Sequence, residues 1–132
     1  IKQEAPKNLS FKGKIFLIAE DDEVNFIYLK RLLEKYEVTI YRAHNGKAAI
    51  DAVKELKKID LILMDIKMPG INGKEATSEI KQLKPEIPII AQTAYAMTED
   101  RENIKKSDFD DYIATPIVKD KLIEKILKFV KV

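Results

Sequence analysis

The sequence predicts an α/β fold, a doubly wound five-stranded parallel sheet of the (βα)5 type. Three observations predict it. Short apolar runs recur, as strands buried on both faces require; Ile15-Phe16-Leu17-Ile18-Ala19 and Leu61-Ile62-Leu63-Met64 are the clearest. Between the runs lie segments whose apolar residues fall at helical spacing. The two kinds of segment alternate in five βα units, which favours a parallel sheet with helices on both faces.

Each element has its own warrant. Residues 1–12 are polar, lack periodicity and contain Pro6, so residues 1–13 are expected to be linker and 14–132 the folded domain. Lys14–Ala19 is the first buried strand. Glu23–Tyr36 follows as a helix, with Val24, Ile27, Tyr28, Leu32 and Tyr36 at helical spacing. Val38–Ala43 is β-branched and aromatic, hence a strand. Lys47–Lys58 places Ala48, Ala49, Ala52, Val53 and Leu56 on one helical face. Asp60–Asp65 is the third strand. Asn72 is suited to cap a helix over Asn72–Leu83, with Ala76, Ile80 and Leu83 inward. Ile87–Gln92 is the fourth strand, and Pro88 is tolerated near its start. Thr98–Ser107 is a polar helix and Asp110–Ala114 a short fifth strand. Val118–Val130 closes the chain as a helix with Leu122, Ile123, Ile126, Leu127 and Val130 on one side.

Composition narrows the function. The 132 residues suffice for one domain with a core of its own. Lysine and arginine number 24 against 22 acidic residues, so no global charge points to nucleic acid. The lysines from Lys119 onward alternate with apolar residues and read as a solvated helix face. With no cysteine there are neither disulfides nor thiolate metal sites. No apolar run reaches the length of a membrane span and no signal peptide is visible, which gives the expectation of a cytoplasmic domain. The start at Ile1 suggests a piece of a longer protein, whose other parts are free to be membrane-anchored.

The chemistry concentrates at strand ends. Glu20-Asp21-Asp22 follows the first strand, Asp65 ends the third, and Thr93 follows the fourth. In a parallel sheet of this kind, ligands bind beyond the C-terminal strand edges at the topological switch point. Carboxylates gathered there suit a hard divalent cation and a carboxylate nucleophile. Taken singly, the same residues have plainer readings: a turn or cap for Asp65, first-turn charges for Asp22 and Glu23, a core aromatic for Tyr112. His44, before the turn signal Asn45-Gly46, reads as a surface residue.

Four motifs in order carry a family resemblance: Ile18-Ala19-Glu20-Asp21-Asp22-Glu23-Val24-Asn25, Leu63-Met64-Asp65-Ile66-Lys67-Met68-Pro69, Gln92-Thr93-Ala94-Tyr95-Ala96-Met97 and Asp111-Tyr112-Ile113-Ala114-Thr115-Pro116. Over roughly residues 14–130 the chain resembles the receiver domain of two-component response regulators, a flavodoxin-like fold. The Glu-Asp acidic pair with Asn25 is most similar to receivers of bacterial hybrid sensor histidine kinases. The resemblance implies that Asp65 accepts a phosphoryl group from the phosphohistidine of a histidine kinase or histidine phosphotransfer domain. It further implies Mg²⁺ held by Asp21, Asp65 and the backbone carbonyl of Lys67, with Glu20 acting through water. Thr93 and the backbone of Ala94 would bind the phosphoryl group, and Tyr112 would swing inward as Thr93 moves. Lys67 and Tyr95 stand where the family tunes the lifetime of the acyl phosphate, and their bulk implies slow autodephosphorylation. Pro116 stands where the family has a cis proline. Such receivers often self-associate through the last two helices, here Thr98–Ser107 and Val118–Val130, and the strand between them.

Thr115 departs from the family, which has a lysine there. It offers a hydroxyl and no charge, and losing one cation beside a transferring phosphoryl group costs about 3 kcal/mol on the scale of a single preorganised stabiliser. Lys67 and Lys119 are the candidate substitute charges. The alternative reading is therefore a pseudo-receiver that docks partners with impaired phosphorylation. A third, an aspartyl-phosphate hydrolase, is opposed by Lys67, which occupies the position of that class's second aspartate. A smaller departure is Ser107-Asp108-Phe109, where the family usually has a glycine.

Overall fold

The structure is a computed structural model that describes residues 8–94 and 108–132. Five parallel strands form one sheet in the order β2-β1-β3-β4-β5. In chain order the elements are β1 (Ile15–Ala19), α1 (Glu23–Glu34), β2 (Thr39–Ala43), α2 (Gly46–Glu55), β3 (Leu61–Asp65), α3 (Gly73–Leu83), β4 (Ile89–Thr93), β5 (Asp111–Ala114) and α4 (Lys119–Leu127). The expected helix Thr98–Ser107 lies outside the described residues, as does Tyr95.

The alternation of side chains along β1, β3 and β4 divides the core into two layers. Leu17, Ala19, Ile62, Met64, Ile89 and Ala91 pack with Ala49, Ile50 and Val53 of α2 and with Ala76 and Ile80 of α3. Phe16, Ile18, Leu61, Leu63 and Ile90 pack on the opposite face, with Leu29 and Leu33 of α1 and with Leu122, Ile123 and Ile126 of α4. The central strands are buried on both faces and read as continuous apolar runs. β2 lies at the sheet edge and alternates, with Thr39 and Tyr41 exposed.

Four expectations need correction. The residues named for α1 straddle two faces: Val24 is 76% exposed and Ile27 and Tyr28 are exposed, Leu32 and Tyr36 pack with the core, and the fully buried residues are Leu29 and Leu33. Two apolar stripes share this helix, and the one that packs on Phe16, Ile18 and Leu63 of the sheet is covered. Leu83 of α3 is also exposed, because the helix ends there and Lys84 already leaves helical geometry. The fourth strand is shifted to Ile89–Thr93, since Pro88 has no N–H to give and serves only as acceptor, from the Ile62 N–H at 3.0 Å. Within the expected linker, Phe11 is fully buried against Phe16 and Tyr36, at ring-centroid distances of 5.3 and 5.9 Å. Its N–H donates to the Tyr36 carbonyl at 2.6 Å, so the core extends upstream of residue 14.

Candidate functional site

The chain leaves β1 toward β2 on one side and then crosses to β3 on the other, so the C-terminal ends of β1 and β3 form the switch point of the sheet. Glu20 and Asp21 follow β1, and Asp65 ends β3. One carboxylate oxygen from each of the three lies within 4.8 Å of the others.

Local bonds fix each group. Asp22 caps α1, its Oδ1 accepting from the Val24 N–H at 3.0 Å. The Asp22 N–H donates to Glu20 Oε2 at 3.3 Å, and Asn25 Nδ2 donates to Glu20 Oε1. Asp65 Oδ1 accepts from the Lys67 N–H at 3.0 Å, which turns the chain after β3. Gly73 opens α3 directly against this strand end. A Cβ there would stand 2.2 Å from the Asp65 carbonyl oxygen, so only glycine permits the approach.

Glu20 is 1% exposed. Burial, followed by its hydrogen bond to Asp65 and the charge of Asp65, pushes its carboxyl up to about 8. A carboxyl this crowded favours its neutral form unless a cation compensates it. Three carboxylates, one buried, one partly buried and one exposed, suit Mg²⁺, which needs few protein carboxylates and keeps several waters.

The remaining expected residues sit around this cluster. Thr93 ends β4, 8% exposed, and its carbonyl accepts from the Thr115 N–H at 2.9 Å. Ala94 follows it, exposed. Tyr112 of β5 is partly buried on the α2/α3 face, with Lys125 Nζ 4.9 Å from its ring centroid. The Thr115-Pro116 peptide bond is cis, and Thr115 Oγ1 reaches the Thr93 carbonyl at 3.5 Å. Lys119 does not substitute for a lysine at 115, because it lies beside Lys35, Tyr36 and Asp120. Lys67 is exposed.

Two residues escaped sequence reasoning. Arg42 of β2 donates to the Glu20 carbonyl from Nε at 3.2 Å and from Nη2 at 3.1 Å, pairs with Glu23, and stacks over Phe26. It pins the acidic loop through the backbone. Gln92 of β4 is 2% exposed and lies level with Asp65 in the strand register. Its polarity inside an otherwise apolar strand was the available signal.

The family model for the response regulator receiver domain matches residues 16–127. This chain belongs to the response regulator receiver domain family. The sensor histidine kinase GacS of Pseudomonas protegens is 32% identical over 133 residues, covering 97% of this chain but only 14% of that protein. The polar-differentiation response regulator DivK of Brucella anthropi is 38% identical, covering 88% of this chain and 95% of its relative. Among solved structures, the receiver domain of a Pseudomonas aeruginosa sensor histidine kinase superposes with a TM-score of 0.81 at 30% identity, covering 89% of this chain and 97% of that one. That neighbour carries a magnesium ion in its active-site cleft. The receiver therefore has the flavodoxin-like fold of its relatives, and the family includes receivers of hybrid kinases.

Proposed function

We propose that this receiver is the phosphoacceptor of a two-component phosphorelay, and that Asp65 carries the phosphoryl group. The observation behind this reading is the convergence of Glu20, Asp21 and Asp65 at the switch point, with Asp65 Oδ1 already fixed by the Lys67 N–H. An Asp65 carboxylate oxygen attacks the phosphorus of a phosphohistidine. The P–N bond breaks, its electron pair stays on the imidazole nitrogen, and an acyl phosphate forms on Asp65. Little covalent work falls to the protein, so positioning and charge compensation dominate. Asp21, Asp65 and the Lys67 carbonyl would hold Mg²⁺, with Glu20 acting through water. The ion would supply the positive charge that lets a carboxylate approach an anionic phosphoryl group. Thr93 and the Ala94 N–H receive the phosphoryl oxygens, and Tyr112 follows Thr93 inward as the bistable element of the switch.

The same reading makes the chain a signalling module rather than a multiple-turnover enzyme, cytoplasmic, and part of a hybrid sensor histidine kinase. The small share of GacS that it spans supports that origin. A histidine phosphotransfer protein is a fitting donor: a yeast receiver co-crystallised with one is 27% identical with a TM-score of 0.82 and aligns over 90% of this chain. Lys67 and Tyr95 would shield the acyl phosphate and slow its hydrolysis. Self-association through α4, β5 and residues 98–107 belongs to the same proposal.

A second reading, a pseudo-receiver, is favoured by one observation: Thr115 brings no cation to the cluster and turns its hydroxyl to the Thr93 carbonyl. Intact-mass analysis after incubation with acetyl phosphate and Mg²⁺ separates the two. A phosphoryl adduct that disappears in Asp65→Ala supports the phosphoacceptor. An adduct only in Thr115→Lys supports the pseudo-receiver.

A further inference from the structure

At this site Gln92 is a buried polar side chain whose amino group has no hydrogen-bond partner among the described residues. It sits beside Asp65 in the β3–β4 register and beside Ile113 in the β4–β5 register. Below it on the same face of the sheet are Leu63 and Ile90, both fully buried. An amide at the end of such an apolar stripe is costly unless it is bonded. Its oxygen is bonded, accepting from Asn25 Nδ2 at 3.5 Å.

Asn25 fixes which way that amide faces. Its Nδ2 donates to the Glu20 carboxylate, so it must turn its nitrogen toward the cluster. The atom of Gln92 opposite it must then be the oxygen, which directs the Gln92 amino group away from Asn25. That group, Nε2, is buried and has no hydrogen-bond partner among the described residues. A buried donor with no partner among the described residues therefore belongs to the strand position level with Asp65.

We propose that Gln92 Nε2 donates a hydrogen bond to the phosphoryl group on Asp65, supplying from β4 the contact that a lysine at 115 would otherwise make. Asn25 is its positioning residue. The inference rests on the phosphoacceptor reading and deepens it. With acetyl phosphate as donor, an Asp65 oxygen forms the new P–O bond as the old one breaks, and the electron pair leaves with acetate. Excess negative charge then gathers on the phosphoryl oxygens, where a preorganised donor acts most strongly.

The test compares the parent chain, Gln92→Leu, Thr115→Lys and the double variant. Phosphorylation by acetyl phosphate and Mg²⁺ is followed by intact mass, and thermal midpoints are recorded. Gln92→Leu is expected to be phosphorylated about tenfold more slowly, with an unchanged or higher thermal midpoint, because removing an unpaired buried donor relieves its desolvation. Thr115→Lys in the same chain restores the rate. In the parent, the Gln92 side-chain amide NMR signals shift when Mg²⁺ and beryllofluoride are added. Equal rates for the parent and Gln92→Leu overturn the inference and leave Asp65 as acceptor. A slow Gln92→Leu that has also lost stability and is not rescued by Thr115→Lys shows a packing role and overturns it too. An unmoved Gln92 amide overturns it however the variants fold. No adduct on the parent overturns both readings.

Discussion

Mg²⁺ should compete with a proton at this site. In the absence of the ion, burial and the neighbouring Asp65 push the Glu20 carboxyl up to about 8, so Glu20 keeps its proton below that pH. At pH 7 about one molecule in ten has lost that proton, and at pH 6 about one in a hundred, by ordinary titration. Apparent Mg²⁺ affinity is therefore expected to rise about tenfold per pH unit from 6 to 8 and to level off above. About one proton should be released per ion bound at pH 7. The same shift sets the stability of the metal-free protein. A carboxyl at 4.5 when unfolded and near 8 when folded stabilises fully below pH 4.5, and that contribution is lost as the pH rises through 8. In EDTA the thermal midpoint should fall across that window; in excess Mg²⁺ the fall should be smaller. Isothermal titration calorimetry in two buffers of different ionisation heat measures both affinity and proton release. Glu20→Gln should flatten the dependence. An affinity constant from pH 6 to 8, with no proton released, would refute this account of Glu20.

Three further outcomes probe the scaffold. Gly73→Ala should lower stability by about 1–3 kcal/mol, because its Cβ would overlap the Asp65 carbonyl, and should weaken Mg²⁺ binding by displacing the strand end; denaturant titration and calorimetry check the two effects. Phe11→Ala should cost about 3–5 kcal/mol in a urea midpoint measurement, against almost nothing if residues 1–13 were only a linker. On α1, Leu29→Ala should cost about 2–5 kcal/mol while Val24→Ala stays within about 0.5, and the reverse order would restore the face that helical spacing first suggested.

The residues themselves determined the sheet, its parallel sense and the gathering of Glu20, Asp21 and Asp65, because continuous apolar runs require burial on both faces and a parallel sheet puts its strand ends together. The cap at Asn72 was equally legible, since its side chain bonds the Glu75 N–H at 3.0 Å within a single turn. What the sequence left undecided depends on contacts between distant segments. Helix α1 carries two apolar stripes, and only its packing on the sheet chose Leu29 and Leu33 over Val24 and Ile27. Phe11 looked like linker because its partners, Phe16 and Tyr36, are joined to it by tertiary packing rather than by any local period. Arg42 became a clamp on the acidic loop because strand pairing sets β2 beside β1. Gln92 acquired a direction only through Asn25 and Glu20, residues far from it along the chain that the fold places around one amide.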